Sequence, residues 1–453
     1  MFISRAAAVL LVFLVRAAAQ TPPGDLTRCA DADADISIGA CTAFVSSAGE
    51  SDDTLAKAFT YRGFSYLKKN QYDLAIGDFS QAIRLDPENA WALANRGNAY
   101  FNKHQYDAAM KDYDEALRLN PAGYATLFYG RGAIFSVRGE PGHAIEQFDQ
   151  AIGLQPEFPE AFNNRGVAYF DNGQFSRAID DYGEAIRFRP EYSSALQNRG
   201  NAYAARGQYD RAIEDYNKAI GMKPGPAAYR NRGNAYRAKG DYESAIRDLS
   251  AAIGSSGSSG SSTGAGALDD RGDTYLAMGQ KARALDDFSE AVRLQPDDPD
   301  AFLSKGRAEF YLGQWNDAVR DFQKSLALDP TYTYAFIWLH LANARAGNDD
   351  AGSLEQQARK IQPEGWPAPI VDMFLGKLKP AYALAFASDP DSDKKMSQQC
   401  EAEFYVGEYI LAQGDASAAA PHLQEARRVC SGIFAESLAA KMEMQRLEDG
   451  PKQ

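Results

Sequence analysis

The sequence predicts an all-α fold, a superhelical solenoid of antiparallel helix pairs, and three observations support this prediction. A dipeptide of arginine or lysine followed by glycine recurs along the chain. Successive glycines are 33 to 35 residues apart, with one spacing of 39. Small and aromatic residues recur around each glycine at helical intervals, so each unit must stack on its neighbours to bury its apolar face. The glycines are Gly63, Gly97, Gly132, Gly166, Gly200, Gly233, Gly272 and Gly306.

Each repeat has the pattern of two amphipathic helices. In the second repeat, Gly97 and Tyr100 share one face of a first helix, and Ala109, Tyr113 and Ala116 share one face of a second. The small residues let the two helices approach closely, and the tyrosine rings fill the space between them. A proline then ends the second helix. We therefore expect an αα-hairpin in every repeat.

On these residues the chain resembles the tetratricopeptide repeat (TPR) family, whose period and Gly-x-x-Tyr, Ala-x-x-x-Phe and Pro pattern it shares. Eight repeats are predicted between residues 56 and 330. The predicted order is a signal peptide (1–19), an N-terminal cap with a cysteine pair (20–55), repeats one to six (56–253), a flexible Gly/Ser linker (254–266), repeats seven and eight (267–330), a C-terminal helical region with a final repeat (331–444) and a disordered tail (445–453).

Complementary charges recur with the same period. An arginine precedes the glycine in seven repeats, and an aspartate precedes the aromatic position of the second helix in all but the third, where Gln147 stands. We expect each arginine to pair with the aspartate of its own repeat, as an ion ladder rather than a ligand site. Arg131 of the third repeat would lack that partner.

The first 19 residues have the features of a cleavable signal peptide. Arg5 precedes the apolar stretch Ala6–Val15, which is much shorter than the roughly 20 residues that a membrane-spanning helix needs. The small residues that end at Ala19 are typical of a cleavage site. We expect a periplasmic or secreted protein, with membrane tethering as the alternative.

The composition argues against several classes of function. The chain has 48 Lys and Arg against 61 Asp and Glu, a formal net charge of −13, and would repel nucleic acid. The four histidines are scattered, and no catalytic motif has the structural surroundings that its chemistry requires. We expect no enzyme activity, no cofactor, no metal site and no nucleic-acid partner.

The C-terminal region resembles a second family. The segments 338–347 (WLHLANARAG), 370–378 (IVDMFLGKL, preceded by Trp366) and 402–415 (AEFYVGEYILAQGD) resemble, in this order, the C-terminal half of NlpI, a family of periplasm-facing bacterial lipoproteins. The resemblance implies a non-enzymatic, dimeric adaptor that brings a periplasmic protease to peptidoglycan hydrolases and scaffolds cell-wall enzymes. The chain departs from that family because it lacks the lipid-acceptor signal and has more repeats.

The four cysteines fall into two pairs. Cys400 and Cys430 stand at opposite ends of the final predicted hairpin, so antiparallel helices would place them side by side. Cys29 and Cys41 would staple the N-terminal cap. In an exported protein we expect both pairs to be disulfides, with free buried thiols as the alternative.

Asparagines provide the candidate peptide-binding residues. They stand two residues before the repeat glycine or directly after it, so they share a helix face that points away from the packing stripe and would line the concave surface. An amide offers both a donor and an acceptor to the backbone of an extended peptide. TPR proteins that hold peptides use such asparagines; the alternative is that they only keep an exposed face soluble. The residues are Asn95, Asn98, Asn164, Asn198, Asn201, Asn231 and Asn234.

We therefore expect a scaffold or adaptor whose partners are proteins or extended peptides, with acidic residues favouring basic or neutral partners. The second resemblance implies a role in envelope proteolysis or cell-wall enzyme assembly, with a periplasmic protease and peptidoglycan hydrolases as partners and a homodimer as the assembly. The alternative is a structural spacer in an outer-membrane or secretion complex.

Overall fold

The computed structural model describes residues 24–47, 49–120, 124–256, 262–348, 351–361, 365–389, 392–430 and 435–449. Within these residues the chain forms 24 α-helices and one 3-10 helix and contains no strand, so the all-α prediction is confirmed. No helix in these ranges is both long and apolar enough to cross a membrane. The predicted signal peptide, residues 1–19, lies outside them.

The chain forms two compact units, divided between Arg206 and Gly207. The helices of the first unit are the 3-10 helix Gly24–Thr27, α1 (Ala34–Val45), α2 (Asp52–Lys68), α3 (Tyr72–Leu85), α4 (Ala90–Asn102), α5 (Tyr106–Leu119), α6 (Ala125–Val137), α7 (Pro141–Leu154), α8 (Pro159–Asp171), α9 (Phe175–Phe188) and α10 (Ser193–Ala205). From α2 onward the even-numbered helices are the first helices of the repeats. Helices α4, α6 and α8 each pack on the second helices of their own and of the preceding repeat, α2 packs on α1 and α3, and α10 packs on α9.

The second unit continues the same alternation. Its helices are α11 (Tyr209–Met222), α12 (Pro226–Lys239), α13 (Tyr242–Ser255), α14 (Ser262–Ala277), α15 (Lys281–Leu294), α16 (Pro299–Leu312), α17 (Trp315–Leu328), α18 (Thr333–Ala346), α19 (Ala351–Ile361), α20 (Ala368–Phe374), α21 (Pro380–Phe386), α22 (Ser392–Ala412), α23 (Ala416–Val429) and α24 (Ala435–Asp449). The final predicted hairpin is formed by α22 and α23.

The repeat glycine lies where the two helices of a hairpin come closest. A Cβ atom on Gly97 would stand 2.6 Å from the ring of Tyr113, and one on Gly306 would stand 2.6 Å from the ring of Phe322. These rings are buried completely. The same contact is made in the final hairpin, where a Cβ on Gly407 would lie 2.8 Å from Leu423. A side chain at this position would therefore push the helices apart.

Five of the predicted arginine–aspartate pairs form within a single unit of the described chain. In each, the Nε and NH2 groups of the arginine donate to both oxygens of the aspartate 16 residues later, over 2.6 to 2.8 Å. The remaining NH1 group donates to the preceding repeat in four of them, as from Arg96 to Ser80 Oγ and from Arg271 to Ser250 Oγ, and in Arg62 it donates to Thr42 Oγ1 of α1. The pairs are Arg62–Asp78, Arg96–Asp112, Arg165–Asp181, Arg232–Asp248 and Arg271–Asp287. Each arginine thus joins its own repeat to the element before it.

The prediction of a flexible Gly/Ser linker over residues 254–266 is wrong at both ends of the segment. Gly254 and Ser255 end α13, and Ser262 to Gly266 begin α14; residues 257–261 lie outside the described residues. The first helix of the seventh repeat simply starts early, because Gly266 is a packing position. A Cβ there would stand 2.6 Å from the guanidinium of Arg230. Helices α13 and α14 pack together as other neighbouring repeats do.

The C-terminal region contains more helix than its pattern predicted. Helix α22 begins eight residues before Cys400, α19 and α21 were not anticipated, and the predicted disordered tail is helical from 445 to 449 as part of α24. The tail prediction failed because Met444 and Leu447 pack against the core. Residues 450–453 lie outside the described residues.

The two cysteine pairs differ. Cys400 and Cys430 form a disulfide whose Cα atoms are 4.9 Å apart, so this predicted pair is confirmed. The bond predicted between Cys29 and Cys41 is absent, and both are free, buried thiols. They pack with Leu26 and Ala58, and a hydrogen bond between the two thiols lowers the pKa of Cys29 and raises that of Cys41. Apolar packing therefore holds the N-terminal cap without a covalent staple.

Gly97→Ala tests the close approach of the paired helices. The added methyl group meets the buried ring of Tyr113, so we expect a loss of about 1–3 kcal/mol from overpacking. Gly77→Ala is the matched control, because a Cβ at that helical glycine meets nothing within 4 Å and should stabilise the helix by about 0.5–1 kcal/mol. Thermal unfolding followed by circular dichroism measures both. Equal melting temperatures for the two variants would contradict the packing argument.

Replacing both Cys400 and Cys430 by alanine tests the disulfide. The bond closes a loop with a sequence separation of 30, so its loss should cost the C-terminal hairpin about 3 kcal/mol through the greater freedom of the unfolded chain. Hydrogen exchange in α22 and α23 should accelerate, and exchange in α4 and α5 should not. Unchanged protection of α22 and α23 would mean that packing alone holds the hairpin.

Candidate functional site: the first-helix face

The first helices of each unit form one face, here called the first-helix face, which carries the seven predicted asparagines. Asn95 and Asn98 on α4 are not exposed as predicted, since 0% and 1% of their surface is accessible. The reason is that α2 and α6 pack against α4 on either side. The Asn95 amide donates to the Trp91 carbonyl over 2.8 Å, and Asn98 accepts from the Tyr113 hydroxyl over 2.8 Å.

Each of these two amides retains one unsatisfied atom. Asn95 Oδ1 and Asn98 Nδ2 are buried and have no hydrogen-bond partner. The two residues lie three apart on one helix, so a free acceptor and a free donor lie on the same face of α4. Such a pair matches the donor and acceptor of a peptide group, although the burial means that neighbouring side chains must move to admit one.

Farther along the first unit, amides are linked from repeat to repeat. Asn198 Nδ2 donates to Asn163 Oδ1 over 3.1 Å, and Asn163 Nδ2 donates to Asn164 Oδ1 over 3.1 Å. Asn164 Nδ2 in turn donates to the Tyr129 hydroxyl over 2.7 Å. This amide chain joins α10, α8 and α6. Its members Asn164 and Asn198, like Asn201, remain half-buried and accessible on one side.

The first-helix face of the second unit is charged rather than neutral. Asn234 Nδ2 donates to Asp270 over 2.9 Å, and Arg230 Nε donates to the same carboxylate over 2.5 Å. The Asn234 Oδ1 atom has no partner. Burial, together with the nearby carboxylates of Asp273, Asp270 and Asp298, raises the pKa of Asp269 to about 8. Asn231, the remaining predicted residue, is half-buried on the same helix as Asn234.

The sequence pattern missed three participants. Asn163 was overlooked because only the position beside it recurs between repeats, and Tyr129 and Asp270 because their roles depend on contact with a neighbouring repeat. The signal that could have found Asn163 is its adjacency to Asn164, which puts two amides in one turn. No group of three or more His, Cys, Asp or Glu in the described ranges could hold a metal ion. The face is thus suited to hydrogen bonding and charge recognition.

Tyr129→Phe tests the amide chain. The hydroxyl is the acceptor for Asn164 Nδ2, so its removal leaves a polar group without that partner and should cost about 1 kcal/mol. Tyr106→Phe is the control, because the Tyr106 hydroxyl forms its hydrogen bond with the ring of His104, which is exposed to solvent. Urea unfolding compares the two variants. If the urea midpoint of Tyr129→Phe is as high as that of the control, the amide chain does not stabilise the fold.

Comparisons with known proteins agree with the repeat pattern. A TPR repeat model matches residues 63–104 and 138–173. Two tetratricopeptide repeat models match residues 90–122 and 159–192, and residues 198–260 and 270–333. Together these matches cover more than half of the chain.

Several solved structures are similar to parts of the chain. MamA is 25% identical over 36% of this chain and 94% of its own, with a TM-score of 0.33. YrrB, described as a TPR protein with an unusual peptide-binding site, is 24% identical over 41% of this chain and 92% of its own, with a TM-score of 0.35. A TPR protein from Parabacteroides merdae is 20% identical over 56% of this chain and 98% of its own, with a TM-score of 0.47.

The family assignment depends on the sequence matches and on the helix pairs themselves. The matched ranges contain hairpins in which the repeat glycine meets the aromatic ring of the second helix, as at Gly97, Gly166 and Gly306. The chain belongs to the tetratricopeptide repeat proteins.

Proposed function

We propose that the protein is a non-enzymatic scaffold that holds an extended peptide segment of a partner protein along its first-helix face. The observation that carries this proposal is the row of amides in the first unit, whose half-buried members Asn164, Asn198 and Asn201 remain accessible on one side. Amides recognise backbone groups whatever the side chains of the partner. Binding of this kind therefore suits a scaffold with more than one client.

The unsatisfied atoms on α4 supply a further driving force. A buried donor or acceptor without a partner costs about 1–3 kcal/mol. A peptide group that accepts from Asn98 Nδ2 and donates to Asn95 Oδ1 would remove both costs at once. In this proposal the accessible amides of α8 and α10 make the first contacts, and α4 adds affinity once its neighbours have moved.

The second unit would select partners by charge. Arg230 is engaged by Asp270, whereas Asp269 Oδ1 has no partner. With a pKa of about 8, the Asp269 carboxyl is mostly protonated at neutral pH. A basic segment of the partner would favour its ionised form and bind to it, whereas an acidic segment would not. The net charge of −13 acts in the same direction over longer distances.

For location we propose export to a bacterial envelope compartment, periplasmic or secreted. The support is the signal-like sequence of residues 1–19 and the Cys400–Cys430 pair, since disulfides persist in oxidising compartments. Cell fractionation with mass spectrometry of the N-terminus tests this proposal. A soluble envelope protein that begins near Gln20 supports it, and an intact N-terminus in the cytosolic fraction would contradict it.

We further propose a role in envelope proteolysis or cell-wall enzyme assembly, as an NlpI-like adaptor for a protease and peptidoglycan hydrolases that acts as a homodimer. The segments behind this resemblance pack together in the second unit. The Trp338 ring lies 5.8 Å from that of Phe404, and His340 lies 5.1 Å from Phe374. The alternative is a structural spacer, which the arginine links between successive repeats would stiffen.

Affinity capture from envelope extract tests the scaffold proposal. The bait is residues 20–453, alongside a variant with Asn164, Asn198 and Asn201 replaced by alanine. We expect the wild type to capture a protease or cell-wall hydrolase, and the variant to retain at most about one tenth as much, since each lost backbone hydrogen bond costs about 1 kcal/mol. Quantitative mass spectrometry measures the difference.

The control variant must lose hydrogen bonds between repeats at positions away from the first-helix face. Ser80→Ala with Ser250→Ala removes two hydrogen bonds between repeats without touching the asparagines. This control should capture partners as the wild type does. Equal capture by all three proteins would rule out the first-helix face, and capture of large-assembly subunits by all three would favour the spacer.

A further inference from the structure

The C-terminal helix α24 packs against distant parts of the second unit. Ala439 and Ala440 are completely buried, and Met442 is nearly so. Arg446 NH2 donates to the main-chain carbonyl of Tyr311 at the end of α16, over 3.4 Å. Helix α24 also packs on α22 and α23. The helix thus covers the ends of elements that precede it by up to 135 residues.

Two buried carboxylates lie between α24 and the elements beneath it. Glu408 of α22 is 0% accessible and Glu443 of α24 is 1% accessible. A single nitrogen, Arg345 NH2 of α18, donates to both, over 2.9 Å and 3.1 Å. Arg446 NH1 donates to Glu443 over 2.5 Å. Glu408 Oε1 and Arg345 Nε are left without partners.

This arrangement disfavours the ionised form of Glu408. Removal from water raises its pKa to about 7, the neighbouring Glu443 carboxylate adds to the rise, and the guanidinium groups of Arg345 and Arg446 only partly offset it. Release of α24 would take away Glu443 and admit water, so the pKa of Glu408 would fall toward the ordinary value near 4.5. The docked state therefore binds a proton more tightly than the released state.

The direction of the pH effect follows from this difference. A raised carboxyl pKa stabilises the docked state at acidic pH, and the stabilisation is lost as the pH rises from about 4.5 through about 7. We propose that α24 is a pH-sensitive latch, held over Glu408 below neutral pH and loosened above it. Loosening would expose Glu408, the end of α18 and the apolar side of α24. This regulation is separate from peptide binding on the first-helix face.

Hydrogen exchange of the full chain tests the latch. The readout is the opening equilibrium of residues 439–449 between pH 5.5 and 8, after correction for the intrinsic pH dependence of exchange. With a Glu408 pKa of about 7 in the docked state and near 4.5 in the released state, the opening equilibrium constant should increase by about 25-fold over this range. Protection of 439–449 that does not change with pH would overturn the proposal.

Two variants and one control sharpen the test. Glu408→Gln cannot ionise, so its opening should be independent of pH and remain low at pH 8. Glu443→Gln removes the neighbouring charge and should move the midpoint of the wild-type transition to lower pH. Glu425→Gln, on the exposed side of α23, should follow the wild type. A Glu408→Gln profile that follows the wild type, or an unmoved midpoint in Glu443→Gln, would also overturn the latch.

Discussion

The contact between the repeat glycine and the aromatic ring of the second helix is the constraint on which the rest of the structure depends. Because Arg96 adjoins Gly97 and Asp112 adjoins Tyr113, closing the helices onto each other also brings the charged pair together, 16 residues apart in sequence. The third arginine nitrogen then points to the preceding repeat. One steric requirement thereby sets the register within a hairpin, and the arginine then links that hairpin to the one before it.

The same stacking determines what the first-helix face can do. First helices that lie close together allow an amide on one to reach a neighbour, as Asn198 reaches Asn163, and each such bond uses part of the hydrogen-bonding capacity that a partner would need. Stability and recognition therefore compete for the same side chains. The balance differs along the face: Asn95 and Asn98 of α4 are completely buried, whereas Asn164 of α8 and the two asparagines of α10 are half-buried. The second unit replaces neutral amides by carboxylates and arginines, so the two units offer different chemistry to a partner.

The periodic features could be predicted from the sequence, because they arise within one hairpin. The helix pairs, the arginine–aspartate bonds and the Cys400–Cys430 disulfide all follow from local spacing. The failures involve contacts between distant elements. Burial of Asn95 and Asn98 depends on the two flanking first helices, the role of Gly266 on the guanidinium of Arg230, and the helical tail on an apolar surface assembled from α18, α22 and α23. Cys29 and Cys41 have a suitable separation in sequence and lie together, yet they remain free thiols in an apolar cluster.

The third repeat separates the steric contact from the charge pair. Gln147 stands in place of the aspartate, its Oε1 atom has no partner, and Arg131 reaches only Asp114 of the preceding repeat, over 3.5 Å. Even so, a Cβ on Gly132 would lie 2.7 Å from the Phe148 ring, as close as in repeats with a complete pair. The eighth repeat has a lysine, Lys305, in place of arginine and keeps the same contact between Gly306 and Phe322. Packing of the ring against glycine therefore sets the hairpin geometry, and the ion pair adds specificity to a geometry that is already fixed.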